Sequence, residues 1–229
     1  MADYAEGTAI ISFSRGKDSI AAWLQMRKFF KRIIPVYLYG IPGLSFVEDS
    51  LKYYEDFFGT RIYRFCHRST WRMLDELLFQ PPQNVRVIWD VGTQDYDFFD
   101  IFEAVKDGAR IVTDTYTGVG VRSADSPQRR MSIVTHGPIN TTKLTFYPIY
   151  DWNKKRIVEE MLEAKVKLPI DYKLFGRTRD GFDYRFMEPL RRYFPEDFQK
   201  CLDYFPLADL EIFRQRCRER YYLEQSCAA

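Results

Sequence analysis

The sequence has no paired-cysteine motif. Its four cysteines, Cys66, Cys201, Cys217 and Cys227, are scattered with no C-x-x-C among them, which excludes a zinc ribbon or a cysteine-held iron–sulfur cluster and leaves free thiols as the expectation. Histidine is scarce too, and the two present, His67 and His136, have no metal-like spacing. No stretch approaches the roughly twenty apolar residues that span a bilayer. The start, MADYAEGTA, lacks the basic residues and apolar centre of a signal peptide, so a soluble, cytoplasmic protein without a membrane partner is expected. Charge of one sign is also missing: the net value is +2. That excludes the strong basic footprint of a protein that lives on nucleic acid, while local patches leave such contact open. Internal repeats and low-complexity tracts are absent.

What is present is length and periodicity. A chain of 229 residues suffices for one well-buried α/β domain with an appendage and is short for two. The 19 Phe and 16 Tyr speak for packing, since such rings bury large areas. Apolar runs at Ala9–Phe13, Ile33–Tyr39, Arg61–Phe65, Ile111–Thr113 and Leu144–Ile149 predict strands. Between them, Ile20, Trp23 and Leu24, then Val47, Leu51, Tyr54 and Phe58, then Trp71, Leu74 and Leu78, then Phe98, Ile101, Phe102 and Val105, then Ile157 and Met161 predict helices by their spacing. Ser45 with Glu48 makes a capping-box pattern and Gly59 a stop, Asp97 a cap, and QPPQN at 80–84 a break. This alternation predicts a mostly parallel twisted sheet with helices on both faces. From about Pro189 the chain reads as amphipathic helix that covers the sheet or meets a partner, a homo-oligomer being one form of that contact. Its arginines Arg214, Arg216, Arg218 and Arg220 split between two helix faces and read as solvated surface.

The most informative stretch is AIISFSRGKDSIAAWLQM, residues 9–26, a strand that turns through Ser14-Arg15-Gly16-Lys17-Asp18-Ser19 into a helix. Such a turn aims unpaired backbone N–H groups at one point beside the positive end of the helix dipole, which suits phosphate, and Lys17 adds a full charge. A Walker loop is excluded, because Ile11 and Asp18 stand where that motif needs Gly and a hydroxyl residue.

With these residues the chain resembles the PP-loop ATP pyrophosphatase superfamily, signature S-G-G-x-D-S, and in particular its phosphoadenosine phosphosulfate (PAPS) reductase-like branch. Arg15 replaces the first family Gly, and Arg does not adopt positive φ as freely. GVRSADSPQRR, residues 120–130, is similar to the branch's segment with an Arg, an acid–Ser pair and a following Arg, here Arg122, Asp125, Ser126 and Arg129. YPIYDW, residues 147–152, is similar to its P-L-x-D-W element. The resemblance covers about residues 8–175. It implies an adenine nucleotide alpha hydrolase-like nucleotide-binding domain over 1–175, with a helical C-terminal extension over 176–229 packed on it.

It also implies an enzyme that binds ATP with Mg²⁺, cleaves it at the α-phosphate with release of pyrophosphate, and adenylates or otherwise activates an unidentified acceptor. Lys17, Asp18 and Arg122 are the candidate catalytic residues. Ser14, Arg15, Gly16, Lys17, Asp18, Ser19 and Arg129 are the candidate nucleotide-binding set, and Asp18 is the candidate Mg²⁺ ligand. For Arg122, Arg129 and Arg130 the competing reading is a solvated basic loop, against an anion clamp of guanidinium forks. Asp151 and Trp152 read as structural, and His67 or His136 as weak candidates for substrate contact. Two rivals stand beside the leading function. A sulfonucleotide reductase would use a C-terminal thiolate, yet LEQSCAA places Cys227 without the Gly and His of that family's element. A non-catalytic protein would bind nucleotide without turnover.

Overall fold

The computed structural model describes residues 7–92, 96–111, 115–178 and 181–227, with side chains as far as Tyr221. Strand β1, Thr8–Ser12, is followed by helix α1, Lys17–Met26, strand β2, Arg32–Tyr39, helix α2, Ser45–Phe58, and strand β3, Tyr63–Cys66. Three helices come next: α3, Arg68–Asp75, α4, Pro82–Val91, and α5, Phe98–Ala109. Strand β4, Thr117–Val119, then leads through a single 3₁₀ turn, Ser123–Asp125, to helix α6, Pro127–His136. Strands β5, Ile139–Asn140, and β6, Thr145–Phe146, precede α7, Lys154–Glu163. The remainder is helical: α8, Asp171–Phe175, α9, Tyr184–Tyr193, α10, Pro195–Tyr204, and α11, Leu210–Cys227.

The six strands make one sheet in the order β3-β2-β1-β4-β6-β5, parallel except for β5, which runs antiparallel to β6. Chain order reverses at β1, whose neighbours are β2 and β4. At such a reversal the loops leaving the strand ends diverge and open a crevice. Because side chains alternate along a strand, Ala9 and Ile11 of β1 enter one core and Ile10 the other. The larger core unites β1, α1, α2 and α7 with Phe186, Met187 and Leu190 of α9 and Ile212 of α11. The smaller one lies under α5, where Ile10, Ile34 and Val36 meet Ile101 and Val105. Helices therefore cover both faces, and the C-terminal helices share the main core with residues 1–175.

Several predicted signals resolve differently in space. The strand beside β1 is Thr117–Val119, not Ile111–Thr113: Ile111 lies outside any strand, and residues 112–114 fall outside the described residues. Gly118 selects the later segment, since a Cβ there would lie 2.5 Å from Met26 Sδ of α1. The QPPQN break instead starts α4, whose first residue is Pro82, a position where the absent N–H is no loss. Gly59 does stop α2, at φ 66°. The Ser45–Glu48 box is replaced: Leu44 is the N-cap, and both the backbone N–H and the hydroxyl of Ser45 donate to Asp197 Oδ2 of α10 at 2.7 Å. Asn153 caps α7 through Arg156 N–H. No helix among the described residues is long and apolar enough to cross a membrane.

Candidate functional site

Strand β1 ends in the main core and only four residues separate it from α1, so the chain from Ser12 to Lys17 must turn sharply at the C-terminal edge of the sheet. Two internal bonds shape that turn. Ser19 Oγ donates to the Gly16 carbonyl at 2.9 Å, and the Ser14 N–H donates to Ser19 Oγ at 3.2 Å. Arg15 takes the left-handed conformation, φ 60°, which disfavours a side chain by roughly 1–2 kcal/mol. So the backbone path open to glycine is kept by an arginine.

A buried ion pair holds it there. Arg15 Nη1 and Nη2 donate to the two oxygens of Asp171 at 3.0 and 3.1 Å, Nη1 also reaches Ser50 Oγ at 2.9 Å, and the guanidinium lies 5.4 Å from the Tyr37 ring centre. Arg15 is 2% exposed and Asp171 0%. Burial acts to lower the Arg15 pKa, but Tyr37 and Asp171 outweigh it and the pKa is raised, so the guanidinium stays charged. The side chain expected to face nucleotide is thus spent on the C-terminal part of the chain, and only the backbone of Arg15 remains for the cradle.

The other predicted residues come together. Lys17 Nζ lies 2.6 Å from Asp18 Oδ2, and Arg122 Nε lies 2.9 Å from Asp18 Oδ1. Arg122 Nη2 donates to Asp125 Oδ1 at 2.6 Å, and Arg129 Nη1 to Asp125 Oδ2 at 2.9 Å. Charges therefore alternate from the loop into the 120–130 stretch. The Arg122 Nε–H is not aimed at Asp18: Arg122 Nε and Asp18 Oδ1 are both buried and lack a hydrogen bond, so that contact is a close ion pair without a directed bond. Arg122 itself is 3% exposed, and its Nη1 faces the Trp152 carbonyl at 3.5 Å. It organises Asp18 and Asp125, and reaching an anion directly requires it to leave one of them. Arg129 is half-exposed, and Arg130 and His136 are exposed.

Asp18, the expected Mg²⁺ ligand, has a cation on each oxygen, and no cluster of three or more His, Cys, Asp or Glu suited to a metal exists among the described residues. The donor set does not fit a resident Mg²⁺.

Four contributors had no role in the sequence reading. Gly120 lets the end of β4 touch the start of α1: a Cβ there would lie 2.8 Å from the Asp18 carbonyl carbon and oxygen. Tyr172 OH accepts the Lys17 N–H at 2.8 Å, and Thr178 Oγ1 stands over Gly16. Asp171 completes the set. Gly120 opens the quoted 120–130 stretch, so a signal existed for it, whereas the segment around 171–178 lies at the far edge of the resemblance and carries none. His67, a weak candidate by sequence, lines the cleft at the loop together with Ser12, Ser14, Leu38 and Phe98, a space of about 240 Å³. Thr115 and Thr117 are buried beside β1.

The side chain of Cys227 lies outside the described side chains. Of the others, burial pushes the Cys201 thiol up to about 12, with Asp197 adding to the rise, and pushes the Cys66 thiol up as well. Neither has the thiolate character of a redox nucleophile. Compared with known proteins, the chain matches no protein-family model and no curated sequence significantly.

Proposed function

We propose that the protein is a PP-loop enzyme of the PAPS reductase-like kind, with an adenine nucleotide alpha hydrolase-like fold. It binds ATP, as its Mg²⁺ complex, and transfers the adenylyl group to a second substrate with release of pyrophosphate. One observation carries the reading: Lys17, Asp18, Arg122, Asp125 and Arg129 form one continuous charge network, joining the loop to the second stretch on which the resemblance rests. The network stands at the N-terminus of α1, beside the crevice where strand order reverses, which is where α/β sheets take anionic ligands.

In this reading the phosphates lie over the Ser14–Ser19 turn and the nucleoside extends into the cleft between Ser12, Leu38 and Phe98. An acceptor oxygen bonds to the α-phosphorus while the bond to the pyrophosphate oxygen breaks, and its electron pair leaves with pyrophosphate. Charge grows on the leaving group, and the Lys17 ammonium offsets it. Asp18 keeps Lys17 beside the turn until phosphate replaces the carboxylate as its partner. Arg122 holds Asp18 and Asp125, and thereby the register between the two stretches.

The test is calorimetric. Lys17→Ala removes a charge-assisted contact of about 1.5–3 kcal/mol, a roughly ten- to hundredfold loss of affinity for MgATP, without unfolding the protein. Equal affinities would sink the reading. Pyrophosphate release in an acceptor screen should persist in Cys227→Ser. Sulfite release from a phosphosulfate nucleotide, lost in Cys227→Ser, would establish the reductase instead.

A further inference from the structure

The loop is gripped residue by residue from one short stretch far along the chain. Asp171 holds Arg15 through two directed bonds, Tyr172 OH accepts the Lys17 N–H at 2.8 Å, and Thr178 stands over the residue between them, Gly16. Asp171 and Tyr172 open α8, and Thr178 follows shortly after that helix ends at Phe175. Because the Arg15–Asp171 pair is sealed, the start of α8 and the turn are fixed to each other, and Thr178 arrives on a short tether from that tie.

The Thr178 hydroxyl has a place in the cleft. Ser14 and Thr178 both line the space of about 240 Å³ at the loop. A Cβ on Gly16 would lie 3.3 Å from Ser14 Oγ and 3.3 Å from Thr178 Oγ1, so the missing side chain leaves room for an atom beside both. The Lys17 N–H, the first amide of α1, is committed to Tyr172, and the two hydroxyls take over as donors at this point. Ser14 Oγ donates to Ser19 Oγ at 3.2 Å, which is long for an O–H···O bond, and a hydroxyl rotates freely to a better acceptor. When it turns away, Ser19 Oγ still receives the Ser14 N–H, so nothing is orphaned. A charged oxygen is that better acceptor, since bonds to ionised groups are roughly twice as strong as neutral ones. Thr178 is placed when the chain folds, which removes an ordering cost from binding.

We propose that Thr178 is a phosphate ligand of the nucleotide, its hydroxyl donating together with that of Ser14 to one phosphate group over Gly16. The inference rests on the nucleotide reading above and deepens it. It makes the C-terminal extension over 176–229 a contributor to the site as well as a cover for the sheet.

MgATP is titrated calorimetrically into the full chain as wild type, Thr178→Val, Thr178→Ala and Thr178→Ser. Valine keeps the shape and loses the hydroxyl, so affinity should fall about tenfold, the loss of one hydrogen bond to a charged oxygen. Alanine removes the same donor with less bulk and should fall with it, whereas serine should rescue the affinity. Thr178 is half-buried, and thermal unfolding of all four proteins should coincide. The phosphorus resonances of bound MgATP should differ between wild type and Thr178→Val, while the adenine proton resonances stay in place. Undiminished affinity in Thr178→Val and Thr178→Ala overturns the proposal. So does Thr178→Ser falling as far as Thr178→Val, which would make methyl packing the cause. Adenine resonances that move in place of the phosphorus ones would assign Thr178 to the nucleoside and overturn it as well. If wild type binds no MgATP, the nucleotide reading itself has failed, and the ligand role falls with it.

Discussion

Two arginine–aspartate pairs flank the loop, and they differ in the exposure of the acid and in the geometry of the contact, neither of which the sequence shows. On one side Arg15 and Asp171 are sealed, their side chains 3% and 0% exposed and bound fork to fork. On the other, Arg122 is equally buried but Asp18 is 27% exposed and the contact is not a directed hydrogen bond. The first pair is bound by directed bonds at both oxygens, whereas in the second the contacting atoms, Asp18 Oδ1 and Arg122 Nε, are buried without a hydrogen bond and the exposure of Asp18 lies away from them. The difference separates a sealed tie from an open network: Arg15 pins the turn to the C-terminal part of the chain, and Arg122 belongs to a row whose end members, Lys17 and Arg129, reach solvent.

The largest expected effect breaks the sealed pair. Asp171→Ala leaves a buried guanidinium uncompensated and should lower unfolding free energy by about 3–5 kcal/mol, read by urea denaturation. Combining Asp171→Leu with Arg15→Gly removes both charges and the left-handed side chain, and should recover most of that loss. If the double variant is no better than Asp171→Ala, the pair is not what holds the turn. On the open side, Arg122→Lys should cost only about 1–2 kcal/mol in stability, since a lysine keeps the charge but loses the planar fork, while MgATP affinity falls. Unchanged affinity together with a stability loss as large as that of Asp171→Ala would erase the distinction between the pairs.

The smallest effect concerns a third link to the C-terminal helices. Burial acts to raise the Asp197 pKa, yet the hydroxyl and N–H of Ser45, together with Lys200, outweigh it and the pKa lies below its ordinary 3.8. A depressed folded pKa stabilises fully above the unfolded value, and the contribution disappears as pH falls through the folded one. Asp197→Asn should therefore be less stable than wild type by about 1 kcal/mol at pH 7, and the gap should close as pH is lowered below about 4. A constant gap would remove Asp197 from the acid response.

Much of this was legible in the chain, and what was not has a common cause. The turn from β1 to α1, strands β1 and β2, and the helices carrying Val47, Leu51 and Tyr54 or Ile157 and Met161 follow from local periodicity. Lys17, Asp18, Arg122 and Arg129 were found through two short stretches. Unreadable were the partnerships that close over long separations: Asp171 for Arg15 and Tyr172 for Lys17, both more than 150 residues away, and Asp197, which took the cap that Ser45 and Glu48 suggested. Periodicity reports which face is apolar and says nothing about which distant carboxylate arrives there. The displaced strand has a different origin. Thr117-Gly118-Val119 carries too little apolar surface to stand out, and it enters the sheet because its glycine admits Met26.

The charge network at the loop has a property that follows from counting alone. It alternates lysine, aspartate, arginine, aspartate, arginine, so each carboxylate lies between two cations, and both ends are positive. A row with an odd number of alternating members cannot cancel. One unit of positive charge is left over, and it belongs to no single residue, because any of the three cations can be regarded as the unmatched one. Parity thus lets a set of side chains that are all paired still attract an anion. It also means that deleting one end, Arg129, would leave an even, neutral row of four without disturbing Lys17 at the other.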